Sequence, residues 1–266
     1  MLLYLFLLLS LLGAVLLAPT VGWLAILYGI LLFLALLLVF CLVFLLSSFF
    51  VDLEKPQEKR SGFYHFMSMQ FMGIAFPLLG VKVKAKGLEL VPKNEPFLLV
   101  SNHISDFDPI YFLYTMPFAK LGFISKKENY QLFFVNKAMH RLHCLPIDRE
   151  NDRAAVRCIL KTIEILRTSG HSMAVFPEGY ESKDGKLLPF RNGVFKISQR
   201  AGVPIVVAVL RNADQVTKNL FRRSTTVEVE ILGVVPHSAQ QGKTTAEIGE
   251  PIHKMMLSAL EKGEQA

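Results

Sequence analysis

Apolar and polar positions divide this chain into three unequal parts. Residues 1–50 carry no Lys, Arg, Asp, Glu or His and form two apolar runs, residues 2–18 and 23–50, parted by Pro19-Thr20-Val21-Gly22. A bilayer crossing needs about 20 apolar residues, so the second run is long enough with some tilt and the first is near the lower limit. A cleaved secretory signal is the alternative for the first run, since Leu16-Leu17-Ala18 imitates part of a cleavage site. Against it, the chain starts Met1-Leu2-Leu3-Tyr4 with no basic n-region. The pattern predicts a transmembrane helical hairpin, with a single span as runner-up. Tyr4, Trp23, Phe49 and Phe50 suit the two interfaces.

Residues 61–80 place Phe63, Phe66, Met67, Met69, Phe71, Met72, Ile74 and Phe76 over a wide helical arc with few charges. That arc fits a helix lying in a membrane interface or a plain core helix. From Val81 onward the period changes. Val81-Lys82-Val83-Lys84-Ala85-Lys86 alternates as a half-exposed strand does. Residues 97–100, 121–125, 143–147, 172–176 and 204–210 are short apolar runs, read as buried strands. Residues 225–235 alternate and read as an edge strand. Between them lie helical patterns at 109–118, 129–141, 151–169, 193–201 and 245–261, the clearest being 151–169, stopped by Gly170. Strands alternating with helices predict an α/β fold with a mostly parallel or mixed sheet flanked by helices. The expected division is a membrane anchor over 1–50, an interfacial or linker helix over 51–80, and one α/β domain over 81–266.

Charge sharpens this picture. The net charge of +7 lies entirely in residues 51–266, so a basic domain is tethered to an apolar anchor. That suggests attraction to anionic headgroups or phosphorylated substrates; no nucleic-acid motif is present. Lys55, Lys59 and Arg60 follow the second apolar run, so the positive-inside rule puts residues 51–266 on the cytoplasmic side of the cell membrane. Cys41, Cys144 and Cys158 have neither zinc-site nor disulfide-framework spacing.

Four predicted strands end in polar residues: Asn102-His103 with Asp108 following, Ser125-Lys126, Ile147-Asp148-Arg149, and Phe176-Pro177-Glu178-Gly179. In an open α/β sheet such ends converge on one crevice. His103 is the natural proton acceptor at neutral pH, and an acid one tight turn later can fold back to fix its tautomer. The bland reading of the same residues is a helix N-cap at Ser105 or Asp106. With Lys126 and Arg149 holding phosphate, the set suits group transfer onto a hydroxyl of a phosphorylated acceptor. No G-x-S-x-G nucleophile elbow is present, which favours direct transfer over a covalent enzyme intermediate.

These motifs resemble the glycerophospholipid acyltransferases, and in particular 1-acyl-glycerol-3-phosphate acyltransferases. Asn102-His103-Ile104-Ser105-Asp106-Phe107-Asp108 matches their N-H-x-x-x-x-D signature and Phe176-Pro177-Glu178-Gly179 their F-P-E-G motif. Ser125-Lys126-Lys127-Glu128 and Ile147-Asp148-Arg149 are similar to the second block. Leu188-Pro189-Phe190-Arg191 with Gly193, and Gly202-Val203-Pro204-Ile205-Val206, are similar to the downstream blocks. The resemblance covers about residues 81–235. It implies transfer of an acyl chain from acyl-CoA or acyl-carrier protein to lysophosphatidic acid, giving phosphatidic acid. His103 is then the general base, and Asp108 its orienting partner. Asn102, Lys126, Arg149, Glu178 and Gly179 serve substrate binding, and no metal or prosthetic group is required.

One departure bears on the acceptor. The family commonly continues F-P-E-G-T-R-S, and here Tyr180-Glu181-Ser182 follows. Glu181 stands where a cation usually meets the acceptor phosphate, leaving Lys183, Lys186 or Arg191 as substitutes and a different lyso-lipid as an alternative acceptor. Two rival readings remain. Asp106-Phe107-Asp108-Pro109-Ile110 nearly matches a D-x-D-x-[T/V] phosphatase motif, but Asn102-His103-Ile104-Ser105 separates it from the strand. A non-catalytic, membrane-anchored lipid-binding protein on this fold is the other.

Overall fold

The computed structural model describes residues 1–55, 60–148, 151–220 and 222–264, without the side chains of Asp152 and Glu264. Lys59 and Arg149, named above, lie outside the described residues. The apolar N-terminus forms helices α1 (Leu2–Val21) and α2 (Leu24–Ser47), which turn at Gly22 (φ 60°) and pack along each other as a hairpin. Gly29 permits that approach: a Cβ there would stand 3.1 Å from both the Ala14 Cβ and the Ser10 carbonyl oxygen. Each helix is long and apolar enough to cross a membrane, and most of its side chains face outward, uncovered by protein. That exposure fits membrane association, since such a surface has no other apolar phase to enter.

Helix α3 (Gly62–Leu78), capped by the Ser61 hydroxyl, joins hairpin to domain. It buries Tyr64, Met67, Met72, Ile74 and Phe76 while leaving Phe63, Phe66 and Phe71 exposed. The Gln70 carboxamide oxygen accepts the Leu2 amide at 3.0 Å, and Ser47 meets the Tyr64 hydroxyl at 3.1 Å. Both ends of the hairpin are therefore tied to α3, and the apolar arc of residues 61–80 serves packing and exposure at once.

The strands are β1 (Val81–Lys86), β2 (Leu98–Ser101), β3 (Gly122–Lys126), β4 (Leu145–Ile147), β5 (Met173–Val175), β6 (Ile205–Arg211) and β7 (Thr225–Val235). They make one sheet in the order β1-β7-β6-β2-β5-β3-β4. Strands β2 to β6 run parallel to one another, and β1 and β7 run the other way. The parallel strands β2 and β6 are buried on both faces, which is why they read as unbroken apolar runs. Leu99, Val206, Ala208 and Leu210 face a layer made by the hairpin, α3 and α4 (Asp108–Thr115). Leu98, Val100, Ile205 and Val207 face a layer containing α6 (Asp152–Thr168), α7 (Phe195–Ala201) and α9 (Thr245–Glu264).

Three expectations need correction. Strand β7 is not an edge: it lies between β1 and β6. Its alternation reports that one face is covered, which says nothing about lateral neighbours. The helix expected over 129–141 is split into a 3-10 turn, Lys127–Gln131, and α5 (Phe133–Arg141). Helix α8 (Ala213–Asn219) was not anticipated; it is short and has no apolar stripe.

Candidate active site

Strand β2 ends at Ser101 and delivers Asn102 and His103 to the C-terminal edge of the parallel strands. Asn102 is buried, and its carboxamide is committed to the neighbouring strand. Nδ2 donates to the Leu210 carbonyl at 2.9 Å and Oδ1 accepts from the Leu210 N–H at 2.8 Å. It therefore clamps β2 to β6 and fixes where His103 begins, without lining the cavity.

The turn after His103 is built by Asp108. The Asp108 N–H donates to the Ser105 carbonyl at 3.0 Å, and Pro109 fits the first turn of α4, where no amide donor is needed. This folds the fully buried Asp108 side chain back over its own loop. Oδ2 accepts from Ile104 N–H at 2.7 Å, from Ser105 N–H at 3.0 Å, and meets His103 Nδ1 at 2.8 Å. Because Oδ2 is an acceptor towards two amides, Nδ1 is the donor, which leaves Nε2 as the basic nitrogen. Burial pushes the Asp108 carboxyl above its usual range, opposed by the hydrogen bond and charge of His103 and by the two amides. The nearer acid, Asp106, is instead exposed and pairs with Lys126 at 2.8 Å. The His103 ring stacks on Phe176, with centroids 4.3 Å apart and planes 15° apart, so its orientation is held on two sides.

Strand β5 lies beside β2, so Phe176-Pro177-Glu178-Gly179 arrives next to His103. Glu178 is buried. Oε1 accepts from the His103 N–H at 2.7 Å and Oε2 from the Leu188 N–H at 2.7 Å. The Ser182 N–H donates to the His103 carbonyl at 2.8 Å, so both backbone polar groups of His103 are fixed by the loop after β5. Burial raises the Glu178 carboxyl to about 7, against the pull of its two amide donors and of His103. The sign follows: an acid whose folded pKa exceeds its unfolded value stabilises the fold fully at low pH, and this contribution is lost as pH rises from about 4.5 through about 7. Glu178→Gln should flatten the pH dependence of thermal stability across that window. It should also cost about 1–3 kcal/mol at low pH, because an amide NH2 faces one of the two N–H donors. Thermal unfolding of both proteins from pH 5 to 8 checks this; parallel curves would remove Glu178 as the titrating group.

Gly179 (φ 76°) turns the chain so that Arg191 packs against it: a Cβ on residue 179 would come within 2.8 Å of Arg191 Cδ. The Arg191 N–H donates to the Pro177 carbonyl at 2.8 Å, and its guanidinium lies 4.8 Å from the Tyr180 ring centre. His103, Lys126, Gly179 and Arg191 border one cavity, whose other wall is apolar, from Ile124, Ile147, Ile159, Val175 and Ile197. Its volume of about 120 Å3 accommodates reacting groups rather than a whole lipid. Asp148, at the end of β4, pairs with Lys127 at 2.9 Å. Among the possible replacements for a cation at residue 181, Arg191 lines the cavity, whereas Lys186 lies 3.9 Å from Asp184 and Lys183 is exposed. The Asp106–Lys126 pair and the His103–Phe176 stack were not anticipated; neither leaves a spacing signal in the sequence.

Residues 82–211 match the model of the family described as Acyltransferase. Over that stretch, just under half of its length, the chain is similar to the acyltransferase family. It is similar to a chloroplastic 1-acyl-sn-glycerol-3-phosphate acyltransferase of Brassica napus, 34% identical over 59% of this chain and 45% of that protein. A 1-acyl-sn-glycerol-3-phosphate acyltransferase of Borreliella burgdorferi is 31% identical over 56% of this chain and 57% of its own length. The chain thus spans about half the length of the curated relatives it matches. The crystal structure of the 1-acyl-sn-glycerophosphate acyltransferase PlsC from Thermotoga maritima superposes with a TM-score of 0.66. It is 26% identical over 84% of this chain and 88% of that chain. The acyltransferase match spans the site from β1 to the end of β6, so His103, Asp108, Glu178 and Arg191 all fall inside it.

Proposed function

We propose that this protein moves an acyl chain from acyl-CoA or acyl-carrier protein to the free hydroxyl of a lysophospholipid, with 1-acyl-glycerol-3-phosphate as acceptor and phosphatidic acid as product. The observation that carries this reading is the 2.8 Å contact of His103 with a buried Asp108 at a cavity bordered by Arg191. His103 Nε2 takes the acceptor's hydroxyl proton as the oxygen attacks the thioester carbonyl. The tetrahedral intermediate then expels the thiolate, which receives that proton from the imidazolium. Asp108 holds the ring and offsets its charge while the proton is on loan. The apolar wall receives the first methylenes of the acyl chain, and Arg191, with Lys126, meets the acceptor phosphate. The hairpin spans the bilayer and presents residues 51–266 to the cytoplasm, so that the lyso-lipid acceptor reaches the cavity from the membrane and the soluble thioester donor from the aqueous side.

Glu181 favours a second reading, in which a lyso-lipid without a phosphomonoester is the acceptor, since a carboxylate repels phosphate. Membranes containing the protein, given labelled acyl donor and a panel of lyso-lipids, separate the two. Lysophosphatidic acid is expected to be preferred, and Arg191→Ala should raise its KM about tenfold or more with a smaller change in kcat. A clear preference for an acceptor lacking the phosphomonoester overturns the lysophosphatidic acid assignment.

A further inference from the structure

The opposite end of β3 holds a second basic cavity, of about 450 Å3, lined by Arg60, His65, Lys120 and His171 together with Ser61, Gly62, Thr168 and Ser169. No carboxylate lines it among the described residues. Arg60 is its centre. One guanidinium nitrogen donates to the Leu121 carbonyl at 3.1 Å and the other meets His65 Nδ1 at 2.9 Å. Nε is buried with no hydrogen-bond partner, and no acidic group lies within ion-pair distance of Arg60 among the described residues. A mostly buried cation with no counter-ion is costly, and its usual remedy is an anion. Burial lowers the Arg60 guanidinium to about 10. His65 is pushed down by burial and Arg60, and His171 by burial, Arg60 and Lys120. Two cations, Arg60 and Lys120, thus share one space with two imidazoles, and the hydrogen bond that His65 accepts from Arg60 leaves its charge uncompensated. Gly62 adds the first turn of α3, where helical N–H groups lack intrahelical acceptors and favour negative charge.

We propose that this cavity binds a phosphate group, at a site separate from the catalytic cavity. The separation is the length of β3: Leu121, which holds Arg60, precedes the strand, and Lys126 at its far end borders the catalytic cavity, about 17 Å away at roughly 3.3 Å per residue. Its position indicates a lipid headgroup as the source. The first turn of α3 is bonded to the end of α2 through Tyr64 and Ser47, and Phe49, Phe50, Phe63 and Phe66 stand exposed around that junction. Exposed Phe side chains where an apolar hairpin ends, next to a cluster of basic residues, put this junction where hydrocarbon gives way to lipid phosphates. A phosphate held there by Arg60 and Lys120 fixes α3, and with it the domain, at a set height on the bilayer.

The test is isothermal titration of the full chain in a phosphate-free maltoside detergent. One arm uses short-chain phosphatidic acid and the other inorganic phosphate. Saturable binding is expected that weakens about tenfold or more in Arg60→Met and in Lys120→Asn, and persists in Arg191→Ala. Asparagine tolerates the left-handed backbone of Lys120 (φ 45°), so this variant carries the test if Arg60→Met fails to fold. Weakening in the phosphatidic acid arm alone assigns the site to a headgroup; equal weakening in both arms assigns it to free phosphate. Binding unchanged in both variants, or lost only in Arg191→Ala, overturns the proposal. The readout needs no turnover, so failure of the acyl-transfer reading leaves this result standing.

Discussion

His103→Ala is expected to lower acyl transfer by about 10³–10⁴-fold, measured with labelled acyl donor and lysophosphatidic acid in membranes containing the protein. The size follows from the position of the ring. Its Nδ1 is taken by Asp108 and its face by Phe176, so the nitrogen left for the acceptor hydroxyl is Nε2. Among the described residues bordering the cavity, no second histidine is present to take over the proton. The substitution should leave the fold standing, because the backbone N–H and carbonyl of residue 103, held by Glu178 and Ser182, are unchanged. Asp108 keeps its two amide donors. The substrate KM should change little, since phosphate and apolar contacts lie elsewhere in the cavity. Retention of full turnover in a folded, membrane-inserted variant ends the general-base assignment. Loss of turnover together with loss of the folded state would move the effect to the packing against Phe176.

Sequence pattern reaches some of this site and stops short of the rest for identifiable reasons. An apolar run ending in polar residues marks a buried strand and its open end, so the pattern alone aims Leu98–Ser101 and Met173–Val175 at a common edge. What pattern does not encode is the third dimension of each polar group. Asn102 and Glu178 look like ligand-facing residues in a motif, yet both are bound through backbone amides, one to Leu210, the other to residues on two separate loops. Both side chains are tied up in holding the backbone on either side of the β2 end that carries His103. Lys126 reads as a free cation, but Asp106, itself within the motif, comes back to pair with it. Arg191 was one of three possible cations. The Pro177–Arg191 backbone bond and the turn at Gly179 bring it to the cavity, and neither is visible in spacing. The same limit explains β7. Periodicity counts covered faces, whereas an edge is a statement about neighbours within the sheet.

Asp108→Asn is expected to lower turnover by about 10²–10⁴-fold while leaving the turn after β2 nearly intact. An asparagine can place its carbonyl where Oδ2 now accepts from Ile104, Ser105 and His103. Its NH2 then falls at the Oδ1 position, which is buried and makes no hydrogen bond in the wild type. The loop geometry and the Nδ1–H tautomer are preserved in that arrangement, but the charge that offsets a developing imidazolium is gone. The loss should therefore appear in kcat with little change in KM. A turn merely held by Asp108 would give another signature: loss of thermal stability and of substrate affinity together, with kcat little changed. Comparing Asp108→Asn with Asp108→Ala separates the two. Alanine removes the acceptor for two amides and the ring and should also destabilise the fold, by about 1–3 kcal/mol for each buried donor left unpaired. If asparagine matched wild-type turnover across the pH range, Asp108 would be a loop cap, and His103 would have to act without a charged partner.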